Sequence, residues 1–322
     1  MRRLTLRRRP LVGRLADERG AVAVMVALLM VPLLGIGAIA VDVGSLYSDR
    51  AQLRNAADSA ALAIALDCAR NNCGSNMVAT ATTLLTANAS NADTANATLR
   101  TPTVVKTTTS TGGRVTVTVA ADQAHWFAPV LGFDSTRVTA TTTAAWATTT
   151  TGRANFPLAF SWCEYRAQVL RHPASTATTT YRINALTNNQ TCAGPNGGTV
   201  TGGYAVTAPD TAGVCRTTST LGFTVAVLAG ANSYGLPPSC TDAYLGSLIG
   251  TDILFPVWDS MSSNGTFHVY SYTAFHIDGY DIYSSDPALL GHFTFAAQQS
   301  DATSNPTSTA PDLGARSVYL QG

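Results

Sequence analysis

The stretch from Ala21 to Val41 is 21 residues long and has no charged or strongly polar side chain, and no other feature limits the chain as much. At 1.5 Å per residue, a helix of that length spans roughly 30 Å, the thickness of a bilayer's hydrocarbon core. Pro32, Gly35 and Gly37 would weaken such a helix in water, but helices in lipid tolerate them. A cleaved signal peptide is the alternative; its apolar core is shorter and ends at a small-residue cleavage site. Here the run is longer and a helical pattern continues past it, so a retained anchor is expected. Seven arginines (Arg2, Arg3, Arg7, Arg8, Arg9, Arg14 and Arg19) precede the run against Asp17 and Glu18, whereas Asp42 and Asp49 follow it. The positive-inside bias then places the N-terminus in the cytoplasm and residues 42–322 outside the cytoplasmic membrane. Topology and anionic headgroups explain the basic arm better than nucleic acid does.

From Asp42 the chain stays helical in character to about Cys68. Ala56, Ala60 and Ile64 form one stripe, and Ala57, Ala61 and Ala65 the next. Stripes of small residues let another element approach closely. Periodicity leaves open whether that element belongs to the same domain or to a neighbouring subunit. Ala56, Ala57, Ala60, Ala61 and Ile64 are therefore candidate contacts for a partner helix, which would make a homo- or hetero-oligomer through residues 42–68.

Glu18-Arg19-Gly20 stands directly before the apolar run, which ends in Ala40-Val41-Asp42-Val43-Gly44. Leu53-Arg54-Asn55-Ala56-Ala57-Asp58-Ser59-Ala60-Ala61-Leu62-Ala63 follows. Together these residues, over roughly 14–68, resemble the N-terminal region of TadE/TadG-like proteins, the pilin-like components of the tight-adherence (Flp) pilus machinery. The resemblance implies an envelope protein of a pilus apparatus, with the membrane and sibling pilin-like proteins as partners and no catalysis. Prepilin-type substrates of that machinery are cut after a glycine and carry Glu at the fifth position beyond it. Here Gly20 is present but the fifth position is Met25, so the chain resembles the uncleaved, anchored TadG-like branch.

Residues 42–322 hold 17 acids and 13 bases, a balance of −4, which argues against nucleic-acid binding. Charged residues are 12% of the chain, about half the usual share; Thr, Ser, Asn and Gly take their place. All six cysteines, Cys68, Cys73, Cys163, Cys192, Cys215 and Cys240, lie beyond the apolar run. An even count in an exported region reads as disulfides, with fifteen pairings possible. Sequential pairing is our expectation, with Cys68–Cys73 at the helix end and two loops closed by Cys163–Cys192 and Cys215–Cys240.

The expected fold class is α+β, in four segments. Residues 1–20 are a basic cytoplasmic arm and 21–41 a transmembrane helix. Residues 42–150 form a pilin-like helix with a small antiparallel sheet, and 151–322 a β-rich, disulfide-stapled domain. Within the third segment, Met77 to Ala92 suggests a second helix. Arg114 to Ala120 alternates strictly as a half-buried strand after Gly112-Gly113, and Val138 to Trp146 is another strand. His125 to Gly132 between them reads as a short helical connector. Thr148 to Gly152 marks a linker. Beyond it few segments look helical. Ile253 to Trp258 reads as a strand, where Pro256 suggests an edge or a bulge. Asn264-Gly265 signals a hairpin turn, and Gly291 to Ala296 looks like a final strand. This half resembles the C-terminal part of some TadE/TadG-like envelope proteins of actinobacteria.

On the strand Thr266 to Ile277, simple alternation puts Phe267, Val269, Phe275 and Ile277 on one face and His268, Tyr270, Tyr272 and His276 on the other. The second face is the candidate ligand surface of an adhesin, the alternative function. Asp259-Ser-Met-Ser-Ser263 approaches the Asp-x-Ser-x-Ser metal site of von Willebrand A domains, but Met261 stands where a hydroxyl is needed. No nucleotide-binding, serine-hydrolase or zinc-protease motif occurs. Neither catalysis, nor a metal, nor a cofactor is expected.

Overall fold

The computed structural model describes residues 18–89, 97–171, 179–185, 190–226, 236–263, 265–299 and 310–321. The arm's first six arginines and Asn264 lie outside these. One helix, α1 (Glu18–Ala69), runs 52 residues with Pro32 inside it. Its share beyond Val22 is the one helix among the described residues long and apolar enough to cross a membrane. From Val22 to Val41 its side chains are exposed, Ala38 only in part, whereas Leu53, Ala56, Ala57, Ala60, Ala61, Ile64 and Ala65 are buried.

The partner that buries them is the chain itself. After α2 (Met77–Asn88) come β1 (Ala97–Leu99), β2 (Thr103–Thr108), β3 (Gly112–Ala124) and β4 (Ser135–Thr148). β3 and β4 form a long antiparallel hairpin from Gly112↔Ala147 to Ala124↔Ser135, and a 3-10 turn, Ala128–Leu131, sits at its tip. Burial alternates along β3, as period two requires. Val115, Val117 and Val119 face inward and pack with Ala144, Trp146 and the alanines of α1. Outward, threonine hydroxyls pair across the strands, Thr116 with Thr143 and Thr118 with Thr141. The alanine stripes are thus the near side of an α/β interface. A methyl group lets the sheet come close, and a larger side chain would hold it off. Gly113 shows the same economy of space, since a Cβ there would lie 2.5 Å from the Trp146 ring.

The second region begins with β5 (Thr151–Ala154), β6 (Leu158–Ser161), α3 (Trp162–Arg171), β7 (Tyr181–Asn184), β8 (Thr191–Ala193), β9 (Thr199–Thr201) and β10 (Tyr204–Val206). It continues with β11 (Thr217–Thr220), β12 (Thr224–Ala226), α4 (Asp242–Gly246), β13 (Asp252–Met261), β14 (Thr266–Asp281) and β15 (Ala288–Thr294). Its main sheet has the order β10-β6-β13-β14-β15-β7, with β12 also on β14. Aromatic rings fill its core. Phe160 lies 4.9 Å from Phe255, 5.0 Å from Phe275 and 5.4 Å from Phe293, centroid to centroid.

The chain then returns. β16 (Ala296–Gln299) and β17 (Ala315–Gln321) join the first sheet, whose order is β1-β3-β4-β17-β16, with β2 on β3. A cut at residue 150 therefore does not separate two units, because the C-terminal strand pairs with β4 and completes the first sheet. Arg316 on β17 locks the closure. Its guanidinium donates to the Cys68 and Ala69 carbonyls at 3.2 Å, pairs with Asp312 and lies 5.2 Å from the Phe295 ring. A cation on the last carbonyls of a helix satisfies orphan acceptors and complements the macrodipole. The cysteines are joined in sequential order, Cys68–Cys73, Cys163–Cys192 and Cys215–Cys240.

Several elements differ from the expectation. Gly291 to Ala296 is not the final strand, since two more follow it. α3 went unread, although Trp162, Tyr165 and Val169 have helical spacing. Strand β13 is internal, between β6 and β14, so Pro256 is not at an edge. The other reading, a bulge, is met beside it, where the register to β14 shifts between Val257 and Trp258 and the parallel ladder to β6 starts only at Val257. Along β14 the pairing passes from Val257↔Ser271 to Trp258↔Val269, which leaves Tyr270 as an extra residue. A bulge of this kind resets the alternation. Val269 consequently packs with Tyr272 and Ala274, while Phe275 and Ile277 belong to the phenylalanine core.

Candidate functional site

The site that departs most from the rest of the surface lies where the apolar half of α1 meets the tip of the β3–β4 hairpin. Asp42 is the first acid after the apolar run, and its side chain is covered. Its carboxylate accepts from three successive backbone N–H groups, Trp126 at 2.9 Å, Phe127 at 3.2 Å and Ala128 at 2.8 Å. Those groups open the 3-10 turn, where backbone donors have no partner of their own. Burial pushes the Asp42 pKa up, but the three N–H bonds and the positive side of His125 outweigh it and hold the carboxyl below its ordinary value. Asp42 thereby ties the hairpin tip to the helix at the end of the apolar run.

The tied tip is apolar and uncovered. Trp126 is 64% exposed, Phe127 49%, Val130 90%, Leu131 68% and Phe133 66%. An apolar groove of about 730 Å³ runs between Phe127, Val130 and Leu131 on the tip and Leu33 to Val41 on the helix. The sequence reading took this segment for a connector and missed the site. The available signal was Trp-Phe-Ala-Pro-Val-Leu-Gly-Phe, eight uncharged residues at a hairpin turn, where polar residues are the rule.

The partner-helix candidates lie elsewhere. Ala56, Ala57, Ala60 and Ala61 are fully buried and Ile64 nearly so, all within the core that α1 forms with α2 and the chain's own first sheet. They offer nothing to a neighbour, because the small-residue stripe has already been used within the domain. Asp58, from the same motif, accepts from the Thr142 hydroxyl at 2.5 Å and fastens helix to sheet. The outward face of this half of α1 carries Val43, Tyr47, Arg50 and Arg54 instead.

The candidate ligand face is dismantled by the bulge. Tyr272 is buried; its hydroxyl lies 2.6 Å from that of Ser219, its ring is so close that a Cβ on Gly152 would lie 2.5 Å away, and burial pushes its pKa up to about 12. Tyr270 meets the edge of Trp162 at 5.4 Å. His268 Nδ1 is 2.7 Å from Asp259, which also accepts from Asn196 at 2.6 Å, so the Asp-x-Ser-like segment is engaged by the protein. His276 is apart from these, 2.7 Å from Asp252 and 3.8 Å from Asp278, with the His292 ring 5.0 Å away. Burial raises the Asp278 pKa, yet Thr180 and the two imidazoles bring it below the ordinary value. Among the described residues, no group of three or more His, Cys, Asp or Glu side chains could hold a metal ion.

Comparison with known proteins bears on α1 alone. Residues 20–66 match the family model Tad, described as "Putative Flp pilus-assembly TadE/G-like". No curated protein and no solved structure matches the chain. The matched segment starts at the foot of the apolar run and ends two residues before Cys68, so it covers both the exposed and the packed half of the long helix. Over that helix the chain is similar to the TadE/TadG-like family of Flp pilus assembly.

Proposed function

We propose that this protein is a membrane-anchored component of Flp pilus assembly or anchoring that acts through contacts with sibling pilin-like proteins rather than through catalysis. The observation that carries the proposal is the family match over residues 20–66, laid on a helix with one exposed apolar half and one half built into a folded head. Residues 21–41 would cross the cytoplasmic membrane, the arginine arm inside and the disulfide-bonded head outside. Met25 at the fifth position beyond Gly20 favours an uncleaved anchor of the TadG-like kind.

Subunit contacts would then use the face of α1 that the sheet leaves open, with Tyr47, Arg50 and Arg54 on it. The test is electron microscopy of a gene deletion in a host that displays Flp pili. Bald cells, restored by the wild-type gene but not by a folded Arg50→Glu/Arg54→Glu variant, are expected. Normal pili on the deletion strain would sink the assembly role. Full rescue by the variant would remove this face from it.

A further inference from the structure

We infer that the β3–β4 hairpin tip, Trp126 to Phe133, is a second membrane-contact element that inserts into the outer leaflet beside the anchor helix and holds the head on the lipid surface. The inference rests on the anchoring reading above. It starts from position: the tip faces Leu33 to Val41 across the apolar groove. Leu33 is eight residues before Val41, which is about 12 Å along a helix. If residues 21–41 span the bilayer, the tip therefore reaches below the level at which the helix emerges.

Its chemistry suits that depth. Trp126 to Phe133 carries no charge, while His125 and Asp134 stand at its two ends. Exposed Trp and Phe side chains next to a spanning helix are the composition of an interfacial aromatic belt. In water, a tip with Val130 at 90% exposure would leave several large apolar side chains hydrated with nothing gained. Those side chains and the uncovered face of α1 form one continuous apolar surface, and lipid is the solvent that the helix half already requires.

The backbone N–H groups of the tip are prepared as well. Polar main-chain groups in hydrocarbon must be satisfied internally. The N–H groups of Trp126, Phe127 and Ala128 bind Asp42. Those of Val130, Gly132 and Phe133 bind the carbonyls of Phe127, Pro129 and Ala128. Pro129 has no N–H, and Leu131 lies within the 3-10 turn. Asp42 itself, at the apolar boundary, spends its charge on the tip.

Trp126 is the probe. The full-length protein is reconstituted at low protein-to-lipid ratio into phosphatidylcholine–phosphatidylglycerol vesicles, with or without bromine on the phosphatidylcholine acyl chains. Co-flotation reads the anchor, and tryptophan emission reads the tip. We expect flotation together with bromine quenching whose main component disappears in Trp126→Phe and weakens in Val130→Asp, both variants still floating. Flotation with Trp126 emission untouched by bromine but quenched by acrylamide would place the tip in water and overturn the inference. Protection of Trp126 from both quenchers would place it against protein, and overturns it too. Failure of the wild-type chain to float would instead remove the anchor, and the inference with it.

Discussion

The two halves of α1 belong to one unbroken helix and meet different surroundings. From Val22 to Val41 the large side chains, Val, Leu, Ile and Met, recur around the helix and are exposed. From Leu53 to Ala69 the buried side chains are mostly alanines, enclosed by β3, β4 and α2. Apolarity alone therefore does not say where a helix goes. Bulk on all sides suits lipid, which needs no complementary surface. A stripe of methyl groups beside Arg54, Asn55 and Asp58 suits a flat sheet that must approach closely.

Four substitutions and one titration would break or sharpen that contrast. The largest effect is expected from Ala61→Asp, which would bury an unpaired carboxylate in the core that Ala61 shares with Val115 and Val117. A cost of at least about 3 kcal/mol is expected, seen as loss of the cooperative denaturation of the detergent-solubilised full chain. Ala60→Leu should overpack the same interface by about 1–3 kcal/mol and lower the denaturant midpoint without changing the slope. Arg316→Ala, which strips the cation from the end of α1, should cost about 1–2 kcal/mol and raise amide exchange at residues 66–69.

The titration reads Asp42. Its folded pKa lies below the ordinary 3.8, so its stabilisation of the hairpin tip is present above that value and fades as pH falls through the lower folded one. Trp126 emission should follow that transition, and in Asp42→Asn the dependence should vanish. Smallest of all is Leu34→Ala, in the exposed half, expected to shift the head's denaturation midpoint by under about 0.5 kcal/mol. A shift as large as that of Ala60→Leu would show that the two halves are not energetically separate, and the contrast would fall.

Much of this architecture was legible before any coordinates. Period two in Arg114 to Ala120 identified β3, and the helix spacing in Met77 to Ala92 found α2, which ends at Asn88. Three features were not legible, each for a physical reason. The bulge at Tyr270 depends on how β13 pairs with β14, so strict alternation misassigned Val269 and Tyr272. Alanine stripes have the same period whether a sibling helix or an own strand covers them. The pairing of β17 with β4 joins residues about 170 apart in sequence, and nothing local marks a strand that returns to an earlier sheet.

By itself the sequence determined a long apolar helix, an even set of cysteines beyond it, a shift from helix period before residue 92 to strand period from Arg114, and a family-like motif in the first 68 residues. Those are properties of composition and short-range spacing. Tertiary structure decided which methyl groups are covered, that the first sheet is finished by the chain's last strand, and that Asp42 reaches across 84 residues to hold an apolar hairpin tip beside the helix. Such contacts are settled by which surfaces fit once the chain has closed, because burial and hydrogen bonding act between elements that are distant in sequence.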